Sequence, residues 1–544
     1  MLAGCTPNVE KNTHTPGIVY CSEGDPTSFN PQLTTNGPTT DASSYQIYNR
    51  LVEYDPTSGT IVPALSHRWF INDDGTKYTF YLRKKVEFHH NDIFSPTRYF
   101  NADDVIFSIN RIIDSAHPYH NISGGNYPFF ENVGFTDSIN KIVKVNDHMI
   151  IIHLTQKDAS FIASLASNFM VIQSKEYADQ LLKTQDMSSI DNLPIGTGPF
   201  VLDSYFKNNH IRYKANPQYW NGTPRIEQLV FNITPKSTNR IAKLMTGDCD
   251  VSALPQSSEI ETIRRNKKLE LQIQTGFNVS YLGFNTEKPP FDNLKVRQAI
   301  AHAVNKKSIV KAVYYGSATI ADGPLPPLSW AYNNTLSSYD YDIEKAKQLL
   351  KEAGHENGFN MSLWASTEQK IYNPNALKTA ELIQSQLALI DISVDIKTFG
   401  STVFSEKIKD YQYDSILTGW TADNADPDNL FRPLFSCAAL LSGGNHVNWC
   451  NQEFDENLNR GMESNKQQKR RPYYQKAQKS LHQLVPIIPI AHALRFQAKN
   501  RNIGGMSLNP YGGISFTKAY RRSQKAKSTL APSEELDSTK LEVK

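Results

Sequence analysis

The sequence predicts a mixed α/β protein, because strand-like and helix-like patterns alternate along the middle of the chain. Two runs, Tyr78–Leu82 and Met149–Leu154, are rich in aromatic or β-branched residues and predict strands. The stretch Asn293–Gly316 instead spaces its apolar residues three and four positions apart, which predicts helix. A chain of 544 residues is long enough for more than one domain, and we see no internal repeat.

Three elements that follow one another support this class. Asp342 is a helix cap, so a helix is predicted over Ile343–Ala353, and Gly354 ends it. A second amphipathic helix is predicted over Ala376–Ile390, and apolar alternation over Ile392–Ile396 then predicts a strand. Helix, helix and strand with short connections are typical of α/β lobes.

Composition excludes two broad classes. The chain has 57 basic and 54 acidic residues, and a net charge of +3 argues against a general nucleic-acid binder. No run of 18 apolar residues occurs, so no transmembrane helix is predicted. The nearest candidate, Phe161–Ile172, is short and contains Ser and Asn.

The two ends of the chain have compositions of their own. Leu2–Cys5 is similar to the end of a bacterial lipoprotein signal, with Cys5 as the lipid-bearing residue, although the regions that should precede it are missing. The alternative is a chance group of small residues. We expect residues 1–14 to be a signal remnant and tether, and the charged tail 521–544 to be disordered.

The other four cysteines predict an oxidising compartment. An even set after a signal remnant favours two disulfides, Cys21–Cys249 and Cys437–Cys450. Such bridges would stabilise the fold by about 5 and about 3 kcal/mol respectively. Free buried thiols are the alternative. The spacings do not match a zinc site.

A search for local catalytic signatures finds none. The nucleophile-elbow, P-loop, H-E-x-x-H and dinucleotide-binding patterns are all missing from the sequence. His89 and His90 are adjacent and would point apart on a strand, which disfavours a joint metal site. Asp423, Asp426 and Asp428 lack the order of an EF-hand loop. We therefore expect no enzyme activity, no metal and no cofactor.

Many ordered blocks carry a resemblance that spans about residues 17–520. They are Tyr20–Gly24, Phe29–Gln32, Tyr48–Glu53, Asp73–Phe80, Asn101–Val105, Pro194–Phe200, Asn278–Leu282, Val296–Ala299 and Gly419–Asn429. With them the chain resembles the solute-binding proteins of peptide/nickel-type ABC transporters, including dipeptide and haem receptors. Ser329–Tyr332, Phe431–Cys437 and Leu494–Ala498 resemble the Sap branch in particular, which is associated with resistance to antimicrobial peptides.

This resemblance implies a two-lobed periplasmic binding protein of the large three-domain type, with its ligand enclosed at the hinge. The first lobe would combine residues 15–50, 198–277 and 497–520. An extra domain, 51–197, would be inserted in it, and the second lobe would cover 278–496. The proposed cysteine pairs agree with the usual bridges of the family.

The resemblance also implies where a peptide would bind. Asp423 aligns with the carboxylate that pairs with the peptide ammonium, and Gly419, Trp420 and Thr421 would offer backbone groups to the peptide. The alternative for Asp423 is a turn or cap role beside Pro427. Lys370 replaces an arginine of dipeptide receptors, and a lysine neutralises a carboxylate without gripping it as a planar fork.

Further wall candidates are Tyr372, Gly37 and Tyr127. A solvent-exposed surface lysine remains the alternative for Lys370. Its position fits longer peptides, or a ligand that has no carboxylate in the site.

The implied function is the periplasmic substrate-binding component of a peptide ABC transporter in a Gram-negative bacterium. The expected partners are a peptide, an inner-membrane permease and its ATPases, and the chain is expected to be a monomer. Two alternatives stay open. One is a carrier of haem, glutathione, a polyamine or chelated nickel, and the other is a scavenger of cationic antimicrobial peptides with an acidic cleft.

Overall fold

The computed structural model describes residues 17–55 and 59–522. The predicted tether with Cys5 and most of the predicted disordered tail lie outside the described residues. Among the described residues, no helix combines the length and the apolar character that crossing a membrane requires.

The first part of the chain alternates short strands and helices. Its elements are β1 (Gly17–Ser22), α1 (Gly37–Ser43), β2 (Val52–Tyr54), β3 (Ile61–Pro63), β4 (Ser66–Ile71), β5 (Lys77–Leu82), α2 (Ala102–Ile113), α3 (Pro128–Asn132), α4 (Phe135–Ser138), β6 (Ile139–Asn146), β7 (Met149–Leu154), α5 (Phe161–Leu165), α6 (Lys175–Lys183) and α7 (Ser189–Asn192). Strands β4, β5, β7 and β6 form an antiparallel sheet in that order.

The middle part supplies most strands of the main sheet. Its elements are β8 (Phe200–Phe206), β9 (His210–Ala215), β10 (Gln228–Ile233), α8 (Ser237–Thr246), β11 (Val251–Ser252), α9 (Ile260–Arg265), β12 (Leu269–Thr275), β13 (Asn278–Phe284), α10 (Leu294–Ala303), α11 (Lys306–Tyr314), β14 (Ala318–Ile320), α12 (Ile343–Glu352), β15 (Phe359–Ser366), α13 (Ala376–Leu387) and β16 (Ile392–Phe399).

The last part is mainly helical and ends in short strands. Its elements are α14 (Ser401–Lys407), β17 (Ser415–Thr421), α15 (Asp428–Phe435), α16 (Cys437–Ser442), α17 (Gln452–Met462), α18 (Gln467–Leu484), β18 (Ile487–Asn500), β19 (Ile503–Gly504), β20 (Ser507–Leu508), β21 (Ile514–Ser515) and β22 (Tyr520–Arg521). Four 3-10 turns, Pro31–Leu33, Ser257–Glu259, Ala388–Ile390 and Ile408–Asp410, complete the described elements.

The helical stretch that the sequence predicts over 293–316 is divided into α10 and α11. Val304 is extended, and the Asn305 side chain accepts a hydrogen bond of 2.9 Å from the Ser308 amide. This side chain caps a new helix, which the apolar spacing alone does not reveal. The predicted cap at Asp342 does form, with its carboxylate 2.9 Å from the Lys345 amide nitrogen.

The long strand β18 connects the two halves of the main sheet. Its first part pairs antiparallel with β13 and β14, which belong to the second half. Its later part pairs with β11 and β12, which belong to the first half together with β1, β8, β9 and β10. The change of partners falls at 493–494, so this strand passes directly between the halves.

Hydrophobic packing is organised in separate clusters. One lies within residues 51–195, a second joins β1, β8–β11 and the chain after residue 502, and two more fill the second half. We propose the domain division given above on this basis. Cavities between such clusters are natural places for a ligand.

Both proposed disulfides are present in the structure. Cys21 and Cys249 have Cα atoms 5.9 Å apart, because β1 pairs in parallel with β11, which starts two residues after Cys249. Cys437 and Cys450 have Cα atoms 4.6 Å apart and close the loop around α16. Each bridge therefore joins segments that the fold already holds together.

Candidate functional site

A cavity of about 650 Å³ lies between the two halves of the sheet, with walls from both. Its size is within the range of small-molecule sites. Seven of the eight residues predicted to contact a ligand line it: Gly37, Lys370, Tyr372, Gly419, Trp420, Thr421 and Asp423. We call it the main cavity.

Asp423 places at this wall a carboxylate that has no basic partner among the described residues. The backbone is fixed, because the Ala422 amide donates to the Phe277 carbonyl at 2.8 Å and the Asp423 amide donates to Asn429 Oδ1 at 2.9 Å. No basic side chain in residues 17–55 or 59–522 pairs with the Asp423 carboxylate. Burial raises its pKa to about 7. A cationic group of a ligand would therefore find its counter-charge here.

The neighbouring aspartates form ion pairs with arginines. Asp426 accepts two hydrogen bonds from Arg470, at 2.6 and 2.8 Å. Asp428 accepts from Arg432 at 2.6 and 3.1 Å, which makes it a partner within α15. The structure thus separates two structural carboxylates from Asp423, which faces the cavity.

The strand before Asp423 presents an uncovered edge. The pairing of β17 with β15 ends at Leu417, whereas its pairing with β13 continues through Thr421. The segment from Thr418 to Thr421 lines the main cavity. Its backbone can hydrogen-bond an extended peptide in the manner of an added strand.

Close packing makes glycine necessary within this edge. A Cβ atom on Gly419 would lie 2.4 Å from Tyr372 Cδ2 and 2.4 Å from the Val279 carbonyl oxygen. Tyr372 is in turn held by its carbonyl, which accepts a hydrogen bond of 2.7 Å from Tyr314 Oη. The aromatic ring therefore packs directly on the backbone of the strand edge.

Lys370 lies on the loop between β15 and α13. Its ammonium is 3.7 Å from the Glu368 carboxylate, and 38% of its side chain is exposed. Such an exposed pair contributes little to stability. The Lys370 side chain is therefore held only weakly at the cavity wall.

Glu23 is a cavity residue that the sequence analysis did not single out, although it lies in one of the quoted blocks. It follows β1, and its Oε1 would lie 3.2 Å from a Cβ atom on Gly37. Burial, and then the charge of Asp41, raise its pKa to about 7, while Arg240 and Arg495 oppose this shift. The opposite wall thus carries a second carboxylate.

Arg495 was also missed, because nothing in the sequence brings β18 to the site. Only 8% of the residue is exposed, and its Nη1 donates to the carbonyls of Asn509 and Gly513 at 2.8 and 3.1 Å. Its Nη2 lies 3.6 Å from Asp41, and within the described chain its Nε has no hydrogen-bond partner. A buried cation therefore adjoins Glu23.

The structure corrects the prediction that Tyr127 lines the ligand site. Tyr127 is 2% exposed within the core of the 51–195 cluster, and its hydroxyl donates to the His120 carbonyl at 3.0 Å. It does not line the main cavity, because the residue directly before α3 directs this ring into the domain core. Asn132 and Phe169 are the residues of that region that reach the cavity wall.

Comparisons with known proteins agree with this architecture. The family model of the bacterial extracellular solute-binding proteins, family 5 Middle, matches residues 60–441. The chain is 44% identical to the dipeptide-binding protein of Escherichia coli over 499 residues, 92% of this chain and 93% of that one. It is 42% identical to the heme-binding protein A of Haemophilus influenzae, with 92% and 91% covered.

Two further comparisons bear on the branch and the fold. The peptide transport periplasmic protein SapA of Salmonella typhimurium is 39% identical, with 93% of this chain and 92% of that one covered. The crystal structure of a dipeptide-binding protein from Pseudoalteromonas, in complex with Met-Leu, is 44% identical and superposes with a TM-score of 0.81 over 93% of this chain and all of that one. The chain therefore belongs to family 5 of the bacterial extracellular solute-binding proteins, a family of transporter components and not of enzymes.

Proposed function

We propose that this protein is the periplasmic substrate-binding component of a peptide ABC transporter and holds its peptide in the main cavity. The observation that carries the proposal is the Asp423 carboxylate, which faces the cavity without a basic partner among the described residues and lies next to the uncovered edge of β17. A peptide can make both interactions: its ammonium group can pair with Asp423, and its backbone can hydrogen-bond the strand edge.

The relatives support a peptide ligand. The Escherichia coli and Pseudoalteromonas proteins are dipeptide-binding proteins, and the latter was crystallised with Met-Leu. Identity to SapA is 39%, below the 44% to the Escherichia coli protein, so we propose peptide binding without assigning the chain to the Sap branch.

The cellular setting is part of the same proposal. We propose that the loaded protein docks as a monomer on an inner-membrane permease, whose ATPases then drive uptake. The relative from Salmonella typhimurium is a periplasmic protein, which supports the periplasm of a Gram-negative bacterium as the location. Lipid attachment at Cys5 also stays a proposal.

Calorimetric titration with di-alanine tests the central contact. We expect Asp423→Asn to weaken binding at least about tenfold, because the variant removes the charge and keeps the shape. N-acetylated di-alanine, which has no ammonium, should bind the native protein as weakly as di-alanine binds the variant. Asp395→Asn is the matched control, since this carboxylate is 71% exposed and does not line the cavity.

Two results would contradict the proposal. One is unchanged di-alanine affinity in Asp423→Asn while circular dichroism shows an intact fold. The other is native mass spectrometry of the freshly purified protein that finds a porphyrin and no peptide, which would favour the haem alternative that the relative from Haemophilus influenzae represents.

A further inference from the structure

A second cavity of about 300 Å³ adjoins the main cavity, and we call it the hinge chamber. Five residues line both spaces, and they form the boundary between them: Glu23, Leu254, Lys370, Ile371 and Arg495. The remaining walls combine proline, serine and aromatic residues from both halves of the molecule. The two spaces therefore meet at a boundary made of side chains.

One side of this boundary is fixed. Leu254 has a φ of 29°, which is unusual for a residue with a branched side chain. Arg240 holds this turn, because its guanidinium donates to the Ala253 and Leu254 carbonyls at 3.1 and 3.2 Å. Arg495 is held by carbonyls in the same way. The turn at Leu254 and the part of β18 that pairs with β12 thus form a rigid rim.

The other side of the boundary is loosely held. The Lys370 side chain is 38% exposed and contacts Glu368 at 3.7 Å, and Ile371 is 46% exposed. Both lie on the loop that follows β15. The long, partly exposed lysine side chain changes rotamer easily. The second half therefore supplies the part of the boundary that can move aside.

The hinge chamber lies where β18 passes between the halves. Residues 493–496 of β18 line it, and this is the point at which the strand exchanges β14 for β12. A contact of 3.0 Å between Ser257 Oγ and Ser317 Oγ joins the two halves at its wall. The chamber is therefore complete only when the halves lie together, as the bound state of such a receptor requires.

We propose that the ligand is a peptide of three or more residues, which begins at Asp423 and continues past Lys370 into the hinge chamber. This inference rests on the proposed function. Two extended residues span at most about 7 Å, so a dipeptide leaves the second space unfilled. A lysine at the boundary neutralises charge without fixing a terminal carboxylate, so the chain can pass it.

Calorimetry with alanine peptides of two to five residues tests the length. We expect affinity to rise at least about tenfold from di-alanine to tetra-alanine. Gln369→Trp places a large side chain on an exposed residue that lines the hinge chamber and not the main cavity. We expect it to remove the gain for tetra-alanine and to change di-alanine affinity less than about threefold. Gln348→Trp, on the exposed face of α12, is the matched control.

Ser257→Trp blocks the same chamber from the first half and serves as a second variant, with thermal unfolding as the test of folding. Equal affinity for all lengths in the native protein, or full tetra-alanine affinity in both blocked variants, would overturn the inference and leave the proposed function intact. Absence of binding at every length, or peptide affinity that Asp423→Asn leaves unchanged, would overturn the proposed function as well.

Discussion

At the scale of single residues, the site depends on two carboxylates that face one cavity from opposite walls. Asp423 follows β17 and Glu23 follows β1, and burial raises the pKa of each to about 7. Arg240 and Arg495 partly compensate Glu23, whereas the shift of Asp423 has burial as its cause. Asp423 is therefore the carboxylate whose state a ligand ammonium changes most.

This arrangement predicts that peptide affinity depends on pH. Below pH 7 a proton competes with the ligand ammonium for Asp423, so di-alanine affinity should fall by up to about tenfold per pH unit between pH 7 and pH 5. Above about pH 8 the carboxylate is ionised, but the α-amino group of the peptide, whose ordinary pKa is about 8, loses its proton, so affinity should pass through a maximum and fall again. Burial lowers the pKa of the cavity residue His446 to about 4, so that group stays neutral across this range.

Calorimetry at several pH values and in buffers of different ionisation enthalpy measures both the affinity and the proton released on binding. Asp423→Asn should bind di-alanine weakly, and its affinity should not change between pH 5 and pH 7. Glu23→Gln should keep the pH dependence of the native protein. A native profile that is flat from pH 5 to pH 8 would show that Asp423 does not titrate in the free protein.

At the scale of elements, the sequence predicts single segments better than their contacts. β7 has the predicted bounds, and the Asp342 cap forms, because such features depend on neighbours along the chain. The seven cavity residues came from resemblance to a family. Glu23 and Arg495 were missed because β1 and β18 come close, on either side of β11, only in the folded sheet. The pattern of 293–316 likewise conceals the Asn305 cap.

Close packing at the unpaired edge of β17 leads to a prediction about Gly419. An added methyl group would lie 2.4 Å from both the Tyr372 ring and the Val279 carbonyl oxygen, and the carbonyl belongs to the paired strand β13. We expect Gly419→Ala to destabilise the protein by about 1–3 kcal/mol and to weaken di-alanine binding about tenfold. Chemical denaturation and calorimetry measure the two effects.

Gly400→Ala is the control for this substitution. Gly400 has a φ of −62°, and among the described parts of the chain no atom outside its chain neighbours lies within 4 Å of the position of an added Cβ atom. The Gly400→Ala variant should have a stability and a di-alanine affinity close to those of the native protein. If Gly419→Ala also behaves in this way, then the packing of Tyr372 on the strand edge does not shape the site.

At the scale of the whole molecule, one cavity wall comes from each half, and among the described strands β18 and its neighbours join the halves within the main sheet. A peptide that contacts both Asp423 and the wall that carries Glu23 therefore stabilises the arrangement in which the halves lie together. A ligand that binds only the folded state also raises the free energy of unfolding.

The size of this stabilisation can be predicted. At a di-alanine concentration one hundred times the Kd, the free energy of unfolding should rise by about 2.7 kcal/mol, and the thermal transition should shift upward. Asp423→Asn at the same peptide concentration should gain only about 1.4 kcal/mol, roughly half as much, because tenfold weaker binding lowers the ratio of peptide concentration to Kd from one hundred to ten. Differential scanning calorimetry of both proteins, with and without peptide, provides the measurement. An equal shift in both would mean that the peptide stabilises the protein through contacts that do not involve the Asp423 charge.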